Sequence, residues 1–237
     1  MKQDLTLLYY TASIIEEYLA DNVRKHLLEV TGKKFPIVSV SQKPLEFGDN
    51  ICMGTIGQSY YNCYKQVLVG ARKVKTKFVA MCEDDTLYSM EHFTHRPKGK
   101  AISYNRNMWY AEDIAYWYRG WVGMCTGIVE TNYLLKYLET RYKMYPEESK
   151  IQNQKDFQEL GVCDDKFGLS NAKREIFETK IPIVTFNFSK SLGGKKWSWA
   201  HPPIIKKGLE FYGNAYDLKK KFWGKARKST KFLPLYG

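Results

Sequence analysis

Three acidic residues stand side by side directly behind an apolar run, in the stretch MCEDD at residues 81–85. They are Glu83, Asp84 and Asp85, and the residues before them, 77–82, have the composition of a buried strand. Carboxylates crowded at a strand end repel one another, which raises their pKa values unless a positive charge compensates. Mg²⁺ and Mn²⁺ prefer such oxygen ligands and often bind them together with substrate phosphates. The pattern indicates a divalent-cation site, with an acidic surface turn as the alternative.

The acidic triplet follows the third strand of a predicted alternation of strands and helices. Short apolar runs at 4–10, 35–41 and 77–82 predict strands, and the segments between them carry apolar residues at helical spacing. In the first helix, Ser13 and Glu16 have the spacing of a capping box. Apolar strands alternating with amphipathic helices are typical of a mostly parallel sheet with helices on both faces. We therefore expect an α/β fold in which ligands bind beyond the carboxyl ends of the strands.

The remaining sequence completes a single predicted domain. It predicts a loop at 44–57 and a helix at 58–74. Short strands or turns are predicted at 109–130, a further helix at 131–145 and a late strand at 181–188. Asp164 and Asp165 form a second acidic pair, followed by a predicted helix in the stretch before Lys180. No internal repeat is present, so we predict one domain over 1–205 with a basic, aromatic extension over 206–237.

The positive charge of the chain is concentrated at its C-terminal end. The 237 residues carry a net charge of +12, of which +9 comes from residue 195 onward, where eleven Lys and Arg accompany two acidic residues. Cations interleaved with aromatic residues indicate a phosphate-rich partner, either nucleic acid or an anionic membrane surface, with a solvated tail as the alternative. The predicted nucleic-acid contacts are Lys219, Lys220, Lys221, Trp223, Lys225, Arg227 and Lys228.

Composition excludes several other classes of protein. No apolar run approaches the ~18–20 residues that span a bilayer, and the N-terminus does not have the pattern of a secretory signal. The five cysteines are an odd number without a C-x-x-C pair, which argues against a disulfide framework and a zinc knuckle. We therefore expect a cytoplasmic protein.

The order strand–helix–strand–helix–strand ending in Glu83-Asp84-Asp85 resembles the GT-A fold of nucleotide-diphospho-sugar glycosyltransferases. In that family this position holds a D-x-D motif, which here reads E-D-D. The resemblance implies that Asp85 ligates a metal bridging the donor diphosphate and that Glu83 takes the first position of the motif. It also implies that Asp84 contacts the ribose or the sugar. The resemblance covers about residues 4–205.

Two later features follow in the order that this family has them. An acidic pair often supplies the general base of inverting members, and here Asp164 and Asp165 both remain candidates because the pair is Asp-Asp rather than Glu-Asp. A late histidine serves some members as an additional metal ligand, and His201 matches in order and position. A carboxylate that accepts the proton of the acceptor hydroxyl is typically worth ~10²–10⁴ in rate.

Donor contacts are expected beside these groups. The first strand ends place Thr11, Ser41 and Gln58 toward the nucleotide, although each residue type is also common in caps and turns. Lys195 and Lys196 flank a glycine turn and could clamp the diphosphate, with a solvated loop as the alternative. The implied cofactors are Mn²⁺ or Mg²⁺ and a nucleoside-diphosphate sugar, for which UDP is the family's commonest nucleotide.

The acceptor is predicted from size, charge and fold. The leading hypothesis is DNA carrying a 5-hydroxymethylpyrimidine, since unmodified bases lack the hydroxymethyl group. Compact enzymes of this sort occur in phages and resemble the base J glucosyltransferase type, which implies a bacterial or phage-infected host cell. One alternative acts on a cell-envelope saccharide, lipid or protein at a membrane surface. Another is a non-catalytic nucleic-acid-binding module on the same scaffold.

Overall fold

The computed structural model describes residues 3–120, 122–151, 157, 159–161, 173–187, 192 and 204–224. Within them the strands are β1 (Leu5–Thr11), β2 (Ile37–Ser41), β3 (Asp49–Cys52), β4 (Phe78–Glu83), β5 (Thr86–Leu87), β6 (Ala101–Asn105), β7 (Met108–Ala111), β8 (Tyr116–Tyr118), β9 (Gly127–Glu130), β10 (Lys173–Phe177), β11 (Ile183–Phe186), β12 (Ile205–Lys206), β13 (Gly208–Leu209) and β14 (Gly213–Asn214). The helices are α1 (Glu17–Thr31), α2 (Tyr60–Lys73), α3 (Thr131–Met144) and α4 (Ala215–Trp223).

A seven-stranded sheet forms the centre of the fold, in the order β10-β6-β9-β4-β1-β2-β3. Strand β1 pairs in parallel with β2 and β4, and β2 pairs in parallel with β3. Strand β9 runs antiparallel to both of its neighbours, β4 and β6. The mostly parallel sheet confirms the predicted α/β class, and the five elements predicted over the first 83 residues are present as β1, α1, β2, α2 and β4.

Both faces of the central sheet are covered, as expected for its apolar strands. Alternate residues of β1 point to opposite sides, so that Leu8 and Tyr10 pack with α2 and α3 while Leu7 and Tyr9 pack with the end of α1. Gly70 lets α2 approach the sheet closely, since a Cβ there would lie 2.3 Å from Leu8 Cδ1. Helix α2 therefore packs directly on β1 and β2, where a Cβ at Gly70 would also lie 2.8 Å from Val40 Cγ2.

A second sheet, in the order β12-β8-β7-β11-β5, lies beside the first and provides one wall of the site described below. Its apolar face packs in one cluster with α1 and α4, including Val23, Val184 and Phe222. Asn22 Nδ2 on α1 donates a hydrogen bond to Phe222 O at 2.9 Å. Helix α4 thus packs against α1 and the second sheet, and the proposed division at residue 205 stays a prediction. Among the described residues, no helix combines the length and apolar character needed to cross a membrane.

Three local predictions were wrong. The loop predicted over 44–57 contains β3, a short edge strand that pairs with β2. Helix α1 begins at Glu17 without a side-chain cap, because Ser13 has φ 55° and its amide donates to Thr11 Oγ1. Residues 173–177, within the helix predicted after the second acidic pair, form β10 along the edge of β6.

Candidate functional site

A cavity of about 130 Å³ opens where the parallel strands β1 and β4 end. Its floor is the acidic triplet, and the residue that ends β1, Thr11, lies beside it. The start of α2 and the segment before it form a second wall, which includes Gln58 and Tyr60. The second sheet contributes Met108, Tyr110 and Thr185, and Arg119 follows directly after its strand β8. The structure therefore brings together Thr11, Gln58, Glu83, Asp84 and Asp85, which the sequence placed at one site.

Each carboxylate of the triplet accepts a hydrogen bond from a hydroxyl group. The register of β1 against β4 sets Tyr10 opposite Glu83, and the turn into β5 places Thr86 next to Asp85. The bonds run from Tyr10 Oη to Glu83 Oε1 at 2.6 Å, from Thr11 Oγ1 to Asp84 Oδ2, and from Thr86 Oγ1 to Asp85 Oδ1 at 2.8 Å. Hydroxyl donors from β1 and β5 thus contact all three carboxylates.

The triplet has unusually basic carboxylates. Burial raises the pKa of Glu83 to about 8, and the charge of Asp85 adds to that rise while the Tyr10 hydroxyl opposes it. Burial also raises the pKa of Asp84 to about 7, again with repulsion from Asp85. The pKa of Asp85 is raised by burial and lowered in part by its hydroxyl donors. Near neutral pH these carboxyl groups therefore keep part of their protons, and a bound cation would favour their ionised forms.

The donor set fits a hard divalent cation. The hydroxyl bonds from Tyr10 and Thr86 engage one oxygen each of Glu83 and Asp85, the two predicted carboxylate ligands, which leaves the second oxygen of each outside those two bonds. Mg²⁺ commonly binds to one or two carboxylates, completed by water and substrate phosphates. Among the described residues, no three His, Cys, Asp or Glu side chains are grouped closely enough to hold a metal ion alone. The predicted third ligand, His201, lies outside those residues.

Ser41 is the one predicted donor contact that the structure describes away from the cavity. Its hydroxyl donates to Lys43 O at 2.6 Å and accepts from Asn50 Nδ2 at 3.0 Å, so it closes a turn after β2. Gln42 beside it holds the loop before α2, accepting from the amides of Ile56 and Gly57 at 3.0 and 3.1 Å. The residue next to Ser41, rather than Ser41 itself, thus shapes the wall that carries Gln58.

The predicted nucleic-acid contacts divide into buried and exposed residues. Lys219 is buried, and its Nζ lies 2.6 Å from Asp113 Oδ1 and 4.9 Å from the Trp223 ring centre. Trp223 is partly buried against the second sheet. Lys220 and Lys221 are exposed on α4. The other residues of the predicted sites lie outside the described part of the chain: Asp164, Asp165, Lys195, Lys196, Lys225, Arg227 and Lys228.

Sequence reasoning missed the residues that come to the cavity from other elements. Gln66 on α2 is buried, and its Nε2 donates to Thr11 O at 2.7 Å. Glu159 reaches the cavity from a segment distant in sequence. Arg119 reaches it directly after β8. In the sequence, that stretch showed only Gly120 and Gly123, which indicate turns and not a binding site.

Comparison with known proteins gives structural likeness alone. The chain matches no family model and no curated protein. It is similar to a glycosyltransferase involved in the glycosylation of the major capsid of PBCV-1, at 10% identity and a TM-score of 0.48, over 77% of this chain and 92% of that one.

Two further solved structures are similar over parts of longer chains. The glycosyltransferase GlyE of Streptococcus pneumoniae TIGR4 has 11% identity and a TM-score of 0.47, over 73% of this chain and 45% of its own. The 1–349 segment of S. aureus TarS in complex with UDP-GlcNAc has 11% identity and a TM-score of 0.47, over 83% of this chain and 62% of that one. This chain thus spans less than two thirds of either. At these values the likeness concerns the path of the chain, and no residue role follows from it.

Proposed function

We propose that this protein is a metal-dependent glycosyltransferase that moves a sugar from a nucleoside-diphosphate sugar, UDP-linked, to a hydroxyl acceptor. The observation that carries the proposal is the convergence of Glu83, Asp84 and Asp85 with Thr11 and Gln58 in one cavity at the strand ends. In open α/β sheets, ligands bind in such crevices beyond the carboxyl ends of the strands. The raised pKa values of the triplet mark it as a site that gains from a bound cation.

Glycosyl transfer from such a donor requires charge to be managed at the leaving group. The bond between the anomeric carbon and the diphosphate oxygen breaks, and its electron pair stays on that oxygen. Mn²⁺ or Mg²⁺, when bound, acts as a Lewis acid toward the departing diphosphate. Glu83 and Asp85 would hold the cation with His201, and Asp84 would contact the ribose or the sugar. Lys195 and Lys196 would add positive charge.

The acceptor oxygen must lose a proton as it bonds to the anomeric carbon. We assign that proton to a carboxylate of the Asp164–Asp165 pair. The acceptor we propose is a 5-hydroxymethylpyrimidine in DNA, as in phage DNA modification. It is supported by the exposed Lys220 and Lys221 on α4 and by the basic sequence after Gly224. Exposed cations that contact phosphates give affinity without reading sequence.

Ligand-induced stabilisation tests the proposal directly. We expect UDP-sugars to raise the melting temperature of the wild-type protein in the presence of Mn²⁺ but not in its absence. Asp85→Asn is expected to abolish that shift. The matched control is Asp49→Asn, because Asp49 is the first residue of β3, at its amino end, and pairs with Lys73 at 3.7 Å. This variant should behave as wild type. A wild-type protein that gains no stability from any nucleotide sugar with Mn²⁺ would overturn the proposal.

The acceptor is tested separately, by incubating donor and enzyme with hydroxymethylated duplex DNA, unmodified duplex and anionic liposomes. Sugar transfer to the hydroxymethylated duplex alone supports the DNA assignment. Liposome binding without transfer to DNA would favour a membrane acceptor. DNA binding with no donor turnover would favour a non-catalytic nucleic-acid-binding protein.

A further inference from the structure

Arg119 brings a cation into the cavity that the acidic triplet lines. It follows β8 in the second sheet, and its amide donates to Met108 O at 2.9 Å. Met108, Tyr110 and Arg119 form one side of the cavity, and the triplet forms its floor. Positive and negative side chains thus meet at one opening, although they come from different sheets.

The position of the guanidinium is set by its surroundings. Nη1 lies 3.4 Å from Met108 Sδ, and the guanidinium carbon lies 5.5 Å from the centre of the Tyr110 ring. Gly123 leaves the space that the group occupies, since a Cβ there would lie 2.4 Å from Nη1 and 2.9 Å from the guanidinium carbon. A side chain confined in this way loses little further freedom when it binds a ligand.

The guanidinium and the carboxylates act on each other electrostatically. Burial raises the pKa values of Glu83 and Asp85, and the charge of Arg119 opposes that rise in both. The distribution of charge suits a ligand that binds a cation on one side and carries its own negative charge on the other. A metal-bound diphosphate has this character, and arginine matches phosphate oxygens with two parallel N–H donors.

We propose that Arg119 binds the diphosphate of the donor and stabilises the charge that develops on it as the sugar leaves. This assignment rests on the proposed function, because it names the residue that contacts the leaving group of that reaction. In the reaction the carbon–oxygen bond to the diphosphate breaks with its electron pair left on the diphosphate oxygen. The acceptor oxygen bonds to the same carbon and its proton passes to a carboxylate. Arg119 remains charged throughout and transfers no proton.

The test uses inorganic pyrophosphate with Mn²⁺, which carries the diphosphate without a nucleotide, and uridine, which carries the nucleoside without a phosphate. Their affinities for wild type, Arg119→Ala and Arg119→Lys are measured by calorimetry and by NMR titration. Losing hydrogen bonds to a charged ligand is expected to weaken pyrophosphate binding of Arg119→Ala by roughly 10–100-fold. Uridine affinity should stay within about threefold, and lysine should restore part of the loss.

Two further variants separate binding from a structural role. Gly123→Ala keeps the charge of Arg119 but places a methyl group where the guanidinium lies, and its φ of −138° accommodates alanine. It should weaken pyrophosphate binding in the same direction. Arg106→Ala removes an exposed arginine that pairs with Glu178 at 2.9 Å and should bind pyrophosphate as wild type does.

Four results are distinguishable. A selective loss of pyrophosphate affinity in Arg119→Ala supports the assignment. Equal losses for pyrophosphate and uridine, together with a lower melting temperature, would show a structural role and overturn it. Wild-type pyrophosphate affinity in Arg119→Ala would overturn it while leaving the transferase proposal intact. A wild-type protein that binds neither pyrophosphate nor any UDP-sugar with Mn²⁺ would overturn both.

Discussion

Tyr10→Phe removes the hydroxyl group that donates a hydrogen bond to Glu83. The bond is 2.6 Å long, and Tyr10 is buried in the core cluster that includes Val38, Val79 and Met81. Phenylalanine keeps the ring and its packing, so the substitution isolates the hydroxyl. The expected consequence is a further rise in the pKa of Glu83, because the bond to its ionised form is lost.

The size of this effect follows from the usual strength of a hydrogen bond to a charged group. A hydrogen bond to a charged group contributes roughly 1.5–3 kcal/mol, and one pKa unit corresponds to about 1.36 kcal/mol. The pKa of Glu83, already raised from 4.5 to about 8 by burial and by Asp85, should therefore rise by roughly one to two units more.

The assay is the pH dependence of Mn²⁺ affinity, followed by the paramagnetic signal of the free ion. A cation binds the ionised carboxylates, so affinity should increase with pH in the wild-type protein and reach its plateau above about pH 8. In Tyr10→Phe the midpoint of that increase should move to higher pH.

The matched control is Tyr104→Phe, since Tyr104 is buried in the same cluster and its hydroxyl donates to Leu160 O at 2.9 Å. It deletes a tyrosine hydrogen bond without touching the triplet, so it should lower stability and leave the midpoint unchanged. Equal midpoints for wild type and Tyr10→Phe, with both folded, would refute the role given to the Tyr10 hydroxyl.

Three other outcomes are expected. Because the folded pKa values of Glu83 and Asp84 exceed their ordinary values, the metal-free protein should lose stability as pH rises toward about 8. Mn²⁺ should therefore raise the melting temperature more at pH 8 than at pH 6, and a larger rise at pH 6 would contradict this. Gly70→Ala should lower the urea concentration at the unfolding midpoint, since overpacking against Leu8 costs roughly 1–3 kcal/mol and the higher helix propensity of alanine contributes at most about 1 kcal/mol. An unchanged midpoint would show that β1 shifts to accommodate the methyl group. Replacing Lys220 and Lys221 by Ala should reduce the salt dependence of DNA binding by about 0.9 in slope for each phosphate that the protein no longer neutralises, whereas Lys136→Ala on α3 should leave it unchanged.

The floor of the site could be predicted from sequence because its signal is local. An apolar run that ends in charged residues defines both a strand and its carboxyl end, and Glu83, Asp84 and Asp85 are contiguous. Thr11 and Gln58 followed from the same logic, since parallel strand ends meet at one edge of a sheet. Ser41 satisfied that logic equally well, but its hydroxyl is used by the turn after β2.

The position of Arg119 in the cavity could not be predicted, because it depends on pairing between segments distant in sequence. Arg119 reaches the cavity through the second sheet, in which β7 pairs with β11 and β8. Nothing local to residue 119 indicates that neighbourhood. The misassigned strand β10 has a related cause: an edge strand has a neighbour on one side only, and the charged residues of KREIF suit a solvated edge as well as a helix.

Catalysis at the triplet requires a cation and a nucleotide sugar to bind there together, and the most direct test is donor hydrolysis in the presence of Mn²⁺. The wild-type protein should release UDP from a UDP-sugar, and Asp85→Asn, shown to be folded by its circular dichroism, should do so at least ~100-fold more slowly, since a metal contributes several kcal/mol of charge stabilisation. Equal rates for the two proteins would contradict the assignment of this cavity as the catalytic site.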